Sequence, residues 1–197
     1  MKKKIIFSVT VVSLCGILAF LVYGNRNEKK EVNNPTSICI ENNGVKADLP
    51  YIENLKSLKD ESDLIILCEG TNVQEKRDYK GIPSIVTTVK IKEVFKGTKD
   101  LKEVKVIQHA KLDVQPKSGE ILIMFLMKGN GIDNPDCYGV VGAGQGIYVL
   151  EVQDNINSKN TSSSNYEEAY IKPQAIKNDN ILKELNGKYK DIKNKLK

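Results

Sequence analysis

The sequence has no tryptophan and only one histidine, His109, among its 197 residues. A zinc site of imidazole and thiolate ligands needs several such residues at short spacing, and His109 has no second histidine or cysteine at that spacing. Nothing in the sequence places a cysteine beside His109, so a Cys–His nucleophilic pair is not indicated. We therefore predict a non-enzymatic protein without catalytic residues, metal or cofactor.

The middle of the chain has no net positive charge, although the formal net charge of the whole chain is +5. Residues 1–30 hold six basic and one acidic side chain, residues 31–170 hold 16 basic and 21 acidic, and residues 171–197 hold eight basic and three acidic. A binder of single-stranded nucleic acid needs a basic groove lined with aromatic rings. Only 6% of the residues are aromatic, so we exclude nucleic acid as a partner.

Only one long apolar run is present, and it covers residues 5–23. At about 1.5 Å per residue, a helix of this length matches the hydrocarbon core of a bilayer. The basic flank, residues 1–4, favours a cytoplasmic N-terminus and an exported remainder. We predict a single-pass anchor in the cell membrane. A cleaved signal ending near residues 22–24, which gives a secreted protein, and a lipoprotein signal at Cys15 are the alternatives, and both also place the domain outside the cytoplasm.

The rest of the chain divides by composition into four parts. Residues 24–37 are polar and lack an apolar period, which indicates a linker. Residues 38–152 contain the β-rich runs and form the predicted domain. Residues 153–170 are rich in Asn and Ser and predict a flexible loop, and residues 171–197 predict a basic C-terminal helix.

The predicted domain is mainly β. After a short strand at Ile38–Ile40 and a helix capped by Asp48, five or so short strands follow, separated by Gly, Pro and Lys-Gly turns. The change of phase at Glu93-Val94 predicts a bulge in one strand, and this pattern favours a small antiparallel OB-like barrel. The residues expected inside the barrel are Ile66, Val89, Ile91, Val106, Ile123 and Phe125.

The order of these strands resembles that of exported bacterial OB-fold proteins. The resemblance covers Tyr51 to Val152 and rests on Ser62-Asp63 before an apolar strand, Val94-Phe95-Lys96-Gly97 at a strand end, and Gly119-Glu120 before another strand. Such proteins look like the barrel of netrin-like and tissue-inhibitor-of-metalloproteinase domains. Those inhibitors act through an N-terminal cysteine in a Cys-x-Cys motif. Here Cys39 is followed by Ile40-Glu41 and preceded by the linker, so the resemblance implies the fold and not the inhibition.

The glycine-rich segment Gly142–Gly146 superficially resembles a phosphate-binding loop. The residues after it, Ile147–Leu150, continue as strand and not as helix, so we predict a bend in a last strand pair over residues 138–152. The loop Asn130–Asp136 lacks the residue order of an EF-hand and is explained by turn chemistry.

Three cysteines follow the apolar run. Cys68 lies in an apolar strand and is predicted to be a buried free thiol. Cys39 and Cys137 flank predicted strands near loops, and a disulfide between them is possible outside the cytoplasm. The sequence does not determine whether that pair forms.

The C-terminal segment carries an apolar stripe at helical spacing, with lysines on the other face. The stripe consists of Ile181, Leu185, Tyr189, Ile192 and Leu196. We expect it to dock on the domain, with a membrane surface or an anionic wall polymer as the alternative. The sequence as a whole favours an extracytoplasmic interaction module that binds a surface protein or an envelope polymer. The alternatives are a protease-inhibitor-like protein and a hydrolase with an unrecognised site.

Overall fold

The computed structural model describes residues 37–42, 45–79, 81–129, 134–151 and 166–197. Residues 35–197 form one compact unit, and the predicted anchor at residues 5–23 lies outside the described residues. The mainly β architecture is confirmed. The strands in the described part are β1 (Ser37–Asn42), β2 (Val45–Pro50), β3 (Leu64–Tyr79), β4 (Ile82–Lys96), β5 (Glu103–His109), β6 (Ile121–Lys128), β7 (Cys137–Val140), β8 (Ile147–Glu151) and β9 (Tyr170–Pro173).

Helical structure is short. In the described ranges the α-helices are α1 (Leu55–Asp60), α2 (Asp179–Glu184) and α3 (Tyr189–Ile192), and 3₁₀ turns occur at Tyr166–Glu168 and Lys193–Leu196. None of the helices in the described ranges has the length and apolar character needed to cross a bilayer.

The strands of the described part form two sheets. β1 and β2 pair with each other, and the other strands form a seven-stranded sheet in the order β3-β4-β5-β7-β6-β8-β9. β3 also pairs with β6, with Leu64 opposite Leu126. The pairings therefore run from β3 through β4, β5, β7 and β6 and return to β3. β5 and β7 are parallel, and the other pairs are antiparallel.

β7 and β8 lie one after the other along the same edge of β6. Val140 pairs with Leu126, and Ile147 pairs with Met124. Between them Phe125 accepts a hydrogen bond from Val141 N at 3.0 Å and donates one to Gly146 O at 2.8 Å. The predicted glycine-rich bend is confirmed. The predicted pairing of the last two strands with each other is wrong, because both use β6 as their partner.

The glycines permit this bend in two ways. Gly142 and Gly144 have positive φ angles of 63° and 103°, which residues with a Cβ adopt at a cost. A Cβ at Gly146 would lie 3.0 Å from the Cβ of Phe125. Glycine therefore lets the chain leave β6 and return to it over a short segment.

The bulge predicted at Glu93-Val94 is confirmed. Ile66 and Leu67 of β3 face Val94 and Glu93, but the neighbouring pairs join Ile65 to Lys96 and Cys68 to Ile91. Residues 95 and 92 are therefore extra residues in β4. They change the direction of the strand where it approaches the C-terminal segment.

The sheet buries both of its faces along β3 and β6. One core contains Leu64, Ile66 and Cys68 together with inward residues of β4, β5 and β6. The other core contains Ile65, Leu67 and residues of α1 and the C-terminal segment. Because successive strand residues point to opposite faces, β6 also contributes to both cores.

Most of the predicted core residues are buried, but they do not share one core. Ile66, Val89 and Val106 belong to the first core, and Ile123 and Phe125 belong to the second. Ile91 is half-buried against the first core. The expectation that Ile123 and Phe125 lie inside a barrel with Ile66 is wrong. These two side chains point to the opposite face of β6 from the residues of β6 that pack with Ile66.

The apolar stripe of the C-terminal segment docks on the domain. Its five residues are at most 1% exposed and belong to the second core. The structure differs from the single helix predicted over residues 171–197, because Tyr170–Pro173 forms β9 beside β8. The helical part is also divided, since Gly187, with a φ of +134°, lies between α2 and α3.

The helix near the start of the domain begins later than predicted. Asp48 lies in β2, paired with Cys39, and is not an N-cap. The cap is Asn54, whose side chain accepts a hydrogen bond from Ser57 N at 2.8 Å, as N-cap residues do. The predicted stripe of Ile52, Leu55 and Leu58 is buried, and the helix ends before Ser62 as expected.

Candidate functional site

A cleft of about 470 Å³ opens where β4 begins and where β5 and β6 end. Its volume lies within the usual range for small-ligand sites, which are mostly apolar with a few polar groups. The apolar residues in its lining include Ile82, Ile107, Met127, Val140 and Ala143. The polar residues include Ser84, Gln108, His109, Asp113 and Asn134.

The pairing of β3 explains why a cleft forms here. β3 pairs with β6 only from Leu64 to Glu69. From Gln74 to Tyr79 it continues as an arm paired with β4. Where the pairing with β6 ends, a Cβ on Gly70 would lie 2.1 Å from Lys117 O, so glycine is required for this close approach. The arm brings Tyr79 to the cleft, and the paired start of β4 brings Ile82.

Two large apolar side chains of the cleft are unusually exposed. Ile82 is 44% exposed and Met127 is 42% exposed. Covering such side chains is favourable by about 25 cal/mol per Å² of apolar area. A ligand that enters the cleft gains this free energy, because the fold itself leaves these surfaces in contact with solvent.

The cleft also contains two buried amide side chains with unused hydrogen-bonding atoms. Gln108 and Asn134 are each 4% exposed. Gln108 Nε2 donates to Val114 O at 3.0 Å, and Asn134 Oδ1 accepts from Arg77 Nη1 at 3.1 Å. These bonds fix which way each amide points. Gln108 Oε1 and Asn134 Nδ2 then have no hydrogen-bond partner in the described part of the chain.

Arg77 holds Asn134 in place through a cluster of charges. Its guanidinium contacts Glu75 Oε1 and Asp136 Oδ1, both at 2.9 Å, and Cys137 Sγ at 3.3 Å. Lys105 Nζ lies 2.9 Å from Asp136 Oδ2. Hydrogen bonds from Arg77 and Lys105 hold the pKa of the Asp136 carboxyl well below its usual range. Both oxygens of Asp136, the last residue of the loop Asn130–Asp136, are thus paired with the basic side chains of Arg77 and Lys105.

Ser84, His109 and Asp113 come together in the cleft but are not arranged as a catalytic triad. Ser84 lies opposite His109 across the β4–β5 pair, and its Oγ donates to Ile82 O at 3.0 Å. His109 Nδ1 accepts hydrogen bonds from the backbone N–H groups of Lys111 and Leu112, both at 3.1 Å. The neutral ring therefore carries its proton on Nε2, and neither nitrogen is free to accept a proton from serine.

Asp113 acts on the backbone of the same turn. Its Oδ2 accepts a hydrogen bond from His109 N at 2.6 Å, and it does not orient the imidazole ring. Burial raises the pKa of the Asp113 carboxyl, while the hydrogen bond from His109 N opposes that rise. His109 itself is the last residue of β5.

All three cysteines in the described ranges are free, so the structure does not pair Cys39 with Cys137, the disulfide that the sequence left open. Cys39 is exposed on β1, in the two-stranded sheet. Cys137 is buried at the start of β7, in the seven-stranded sheet, under the Arg77 guanidinium. Cys68 is a buried thiol as predicted, and burial raises its pKa.

Sequence reasoning missed this cleft. Ile82, Gln108, Met127 and Asn134 are distant in the chain, and none of them belongs to a local motif. The exposed Ile82 beside Pro83 in a charged hairpin is the only local signal we find. No group of His, Cys, Asp and Glu side chains in the described part is placed to hold a metal ion.

Comparisons with known proteins give no identity for the chain. No protein-family model, no curated protein and no solved structure matches it.

Proposed function

We propose that this chain is a membrane-anchored, extracytoplasmic binding module without enzymatic activity, and that its ligand occupies the cleft. The partner is a surface protein or an envelope polymer. Residues 5–23 anchor the protein, and the domain they carry faces away from the cytoplasm.

We also propose that the domain is an OB-like barrel. The circuit of pairings from β3 through β4, β5, β7 and β6 back to β3 supports this fold, because a sheet closes when its first and last strands pair. Five strands with a helix packed outside suit a small Greek-key barrel. β8 and β9 then extend β6 outside the barrel and carry the C-terminal segment.

The observation that carries the proposed function is the combination of exposed apolar and buried unpaired polar groups in one cleft. Unpaired buried polar atoms destabilise a fold by about 1–3 kcal/mol each. The exposed area of an apolar side chain adds nothing to folding. A site that retains both features is better suited to binding than to stability.

Site-specific crosslinking tests the proposal even though the ligand is unidentified. A photoreactive phenylalanine analogue replaces Ile82 in the full-length protein, in the cell that produces it. The matched control carries the same analogue at Val73, which is 60% exposed and lies outside the cleft. We expect a discrete adduct from position 82 and not from position 73. Equal adducts at the two positions, or none at position 82, would contradict the proposal.

A hydrolase is the second candidate, because Ser84, His109 and Asp113 line one cleft. The hydrogen bonds at His109 Nδ1 argue against it, since they leave no basic nitrogen for the serine hydroxyl. Hydrolysis of simple esters that disappears in the Ser84→Ala variant would favour the hydrolase. The protease-inhibitor-like alternative has only the fold resemblance behind it.

A further inference from the structure

We infer that the ligand of the cleft is a peptide segment with an aliphatic side chain, bound through one of its backbone amide groups. This inference rests on the proposed function, because it names the chemistry of the ligand at the same site.

The unused polar atoms of the cleft indicate an amide. Gln108 and Asn134 both line the cleft. The acceptor Gln108 Oε1 and the donor Asn134 Nδ2 are buried from solvent, and neither has a partner in the described ranges. A peptide group carries one N–H donor and one C=O acceptor, so a single peptide segment supplies both missing partners. Because both atoms are enclosed, the two side chains have to turn towards the ligand as it binds, and rotamer changes of this kind are common at binding surfaces.

The apolar lining indicates the side chain of the ligand. Ile82, Ile107 and Met127 are flexible or branched aliphatic groups, and together with Val140 they leave room within about 470 Å³. An aliphatic side chain buries against them without leaving a polar group unpaired. A sugar presents hydroxyls around its ring, and each hydroxyl buried against this lining without a partner costs free energy. The lining therefore favours a peptide over a glycan.

The charged side chains in and beside the cleft do not call for an ionic ligand. Of those that line it, Lys128 is exposed to solvent and Asp113 accepts a hydrogen bond from His109 N. The Arg77 guanidinium is already matched by Glu75 and Asp136. Lys105 is matched by Asp136. A neutral peptide group that bonds to the Gln108 and Asn134 amides needs no counter-charge.

Methyl NMR of the full-length protein in lipid nanodiscs tests this inference. Isoleucine, methionine and valine methyls are labelled, so that Ile82, Ile107 and Met127 report on the cleft and Val73 reports on an unrelated exposed position. The probes are the capped peptide Ac-Ala-Leu-Ala-NH₂, N-acetylglucosamine, and isoamyl alcohol, which is apolar and has no amide. We expect the peptide to shift the cleft methyls at concentrations at which the other probes do not, with Val73 unchanged.

Two pairs of variants separate the polar and apolar parts of the site. Asn134→Asp keeps an oxygen for Arg77 and removes the Nδ2 donor, and Asn72→Asp is the same change outside the cleft. We expect about a tenfold rise in the peptide Kd for the first variant and no change for the second. Ile82→Ser should raise the Kd at least tenfold, whereas Val73→Ser should leave it unchanged.

Each other outcome has a distinct meaning. If N-acetylglucosamine or the alcohol shifts the cleft methyls and the peptide does not, the peptide inference is overturned and the cleft remains a binding site. If no probe shifts them, the result contradicts both the peptide inference and the proposal that the cleft is a binding site. Unchanged peptide binding in Asn134→Asp would overturn the role of the amide donor.

Discussion

At the scale of single residues, hydrogen bonding separates the groups that hold the fold from those that do not. Gln145 is fully buried and satisfied: its Oε1 accepts from Ile52 N at 3.2 Å and from Asn178 Nδ2 at 3.0 Å, and its Nε2 donates to Pro50 O at 2.7 Å. It joins the start of the domain, the glycine-rich bend and the C-terminal segment. The unpaired atoms of Gln108 and Asn134 have no such structural use.

Two buried tyrosines allow a direct test of this distinction. The Tyr148 hydroxyl is buried without a hydrogen-bond partner in the described part, whereas the Tyr189 hydroxyl donates to Glu93 Oε2 at 3.2 Å. Removing an unpaired buried hydroxyl is neutral or stabilising, and removing a paired one costs about 1 kcal/mol. We expect Tyr148→Phe to leave the free energy of unfolding unchanged or raised, and Tyr189→Phe to lower it. Denaturant titration measures both, and the reverse order would contradict the hydrogen-bond assignment.

At the scale of elements, the apolar pattern predicts which segments are strands but not which face of a strand meets which core. The run Ile121–Met127 is apolar at every position, because both faces of β6 are covered. Such a strand has no alternation from which its phase could be read. This is why the sequence places Ile123 and Phe125 in the wrong core, while the bulge in β4 follows from a local change of phase.

The C-terminal segment, together with α1, covers the face of the sheet that forms the second core. Leu185, which directly follows α2, is 1% exposed in the second core, and Lys183 is exposed in α2. Leu→Ala changes in cores cost about 2–5 kcal/mol, whereas surface changes usually stay within about 0.5 kcal/mol. We expect Leu185→Ala to lower the free energy of unfolding by that larger amount and Lys183→Ala to leave it unchanged. Equal, small effects in denaturant titration would mean that the segment does not dock.

Ion pairs add a pH dependence to this docking. Hydrogen bonds from Lys188 and Lys190 lower the pKa of the exposed Glu168 carboxyl from 4.5 to about 2. Because the folded pKa is depressed, the stabilisation is fully present above the unfolded value and is lost as the pH falls from about 4.5 towards 2. We expect Glu168→Gln to lower the Tm slightly at pH 7, and by progressively less as the pH falls towards 2. A Tm difference as large at pH 2 as at pH 7 would show that the carboxylate charge is not its cause.

At the scale of the whole molecule, the sequence predicts the class of fold and the order of most elements. The strands, the bend at the glycines and the burial of the C-terminal stripe follow from local periodicity and turn residues. Local patterns do not predict β2, β9 or the cleft. They depend on contacts between residues far apart in the chain, such as Arg77 with Asn134, and no local sequence pattern indicates those contacts.

The central claim is that a domain outside the cytoplasm binds a partner in the cleft, and cysteine labelling tests it most directly. Ile82→Cys and Val73→Cys are made separately in the full-length protein with Cys39→Ser, which removes the exposed native thiol. A membrane-impermeant maleimide is applied to intact cells and to the protein purified in nanodiscs. We expect position 73 to react at the same rate in both, and position 82 to react more slowly in intact cells because the partner covers it. Equal rates at position 82, or labelling of both positions only after lysis, would contradict the account.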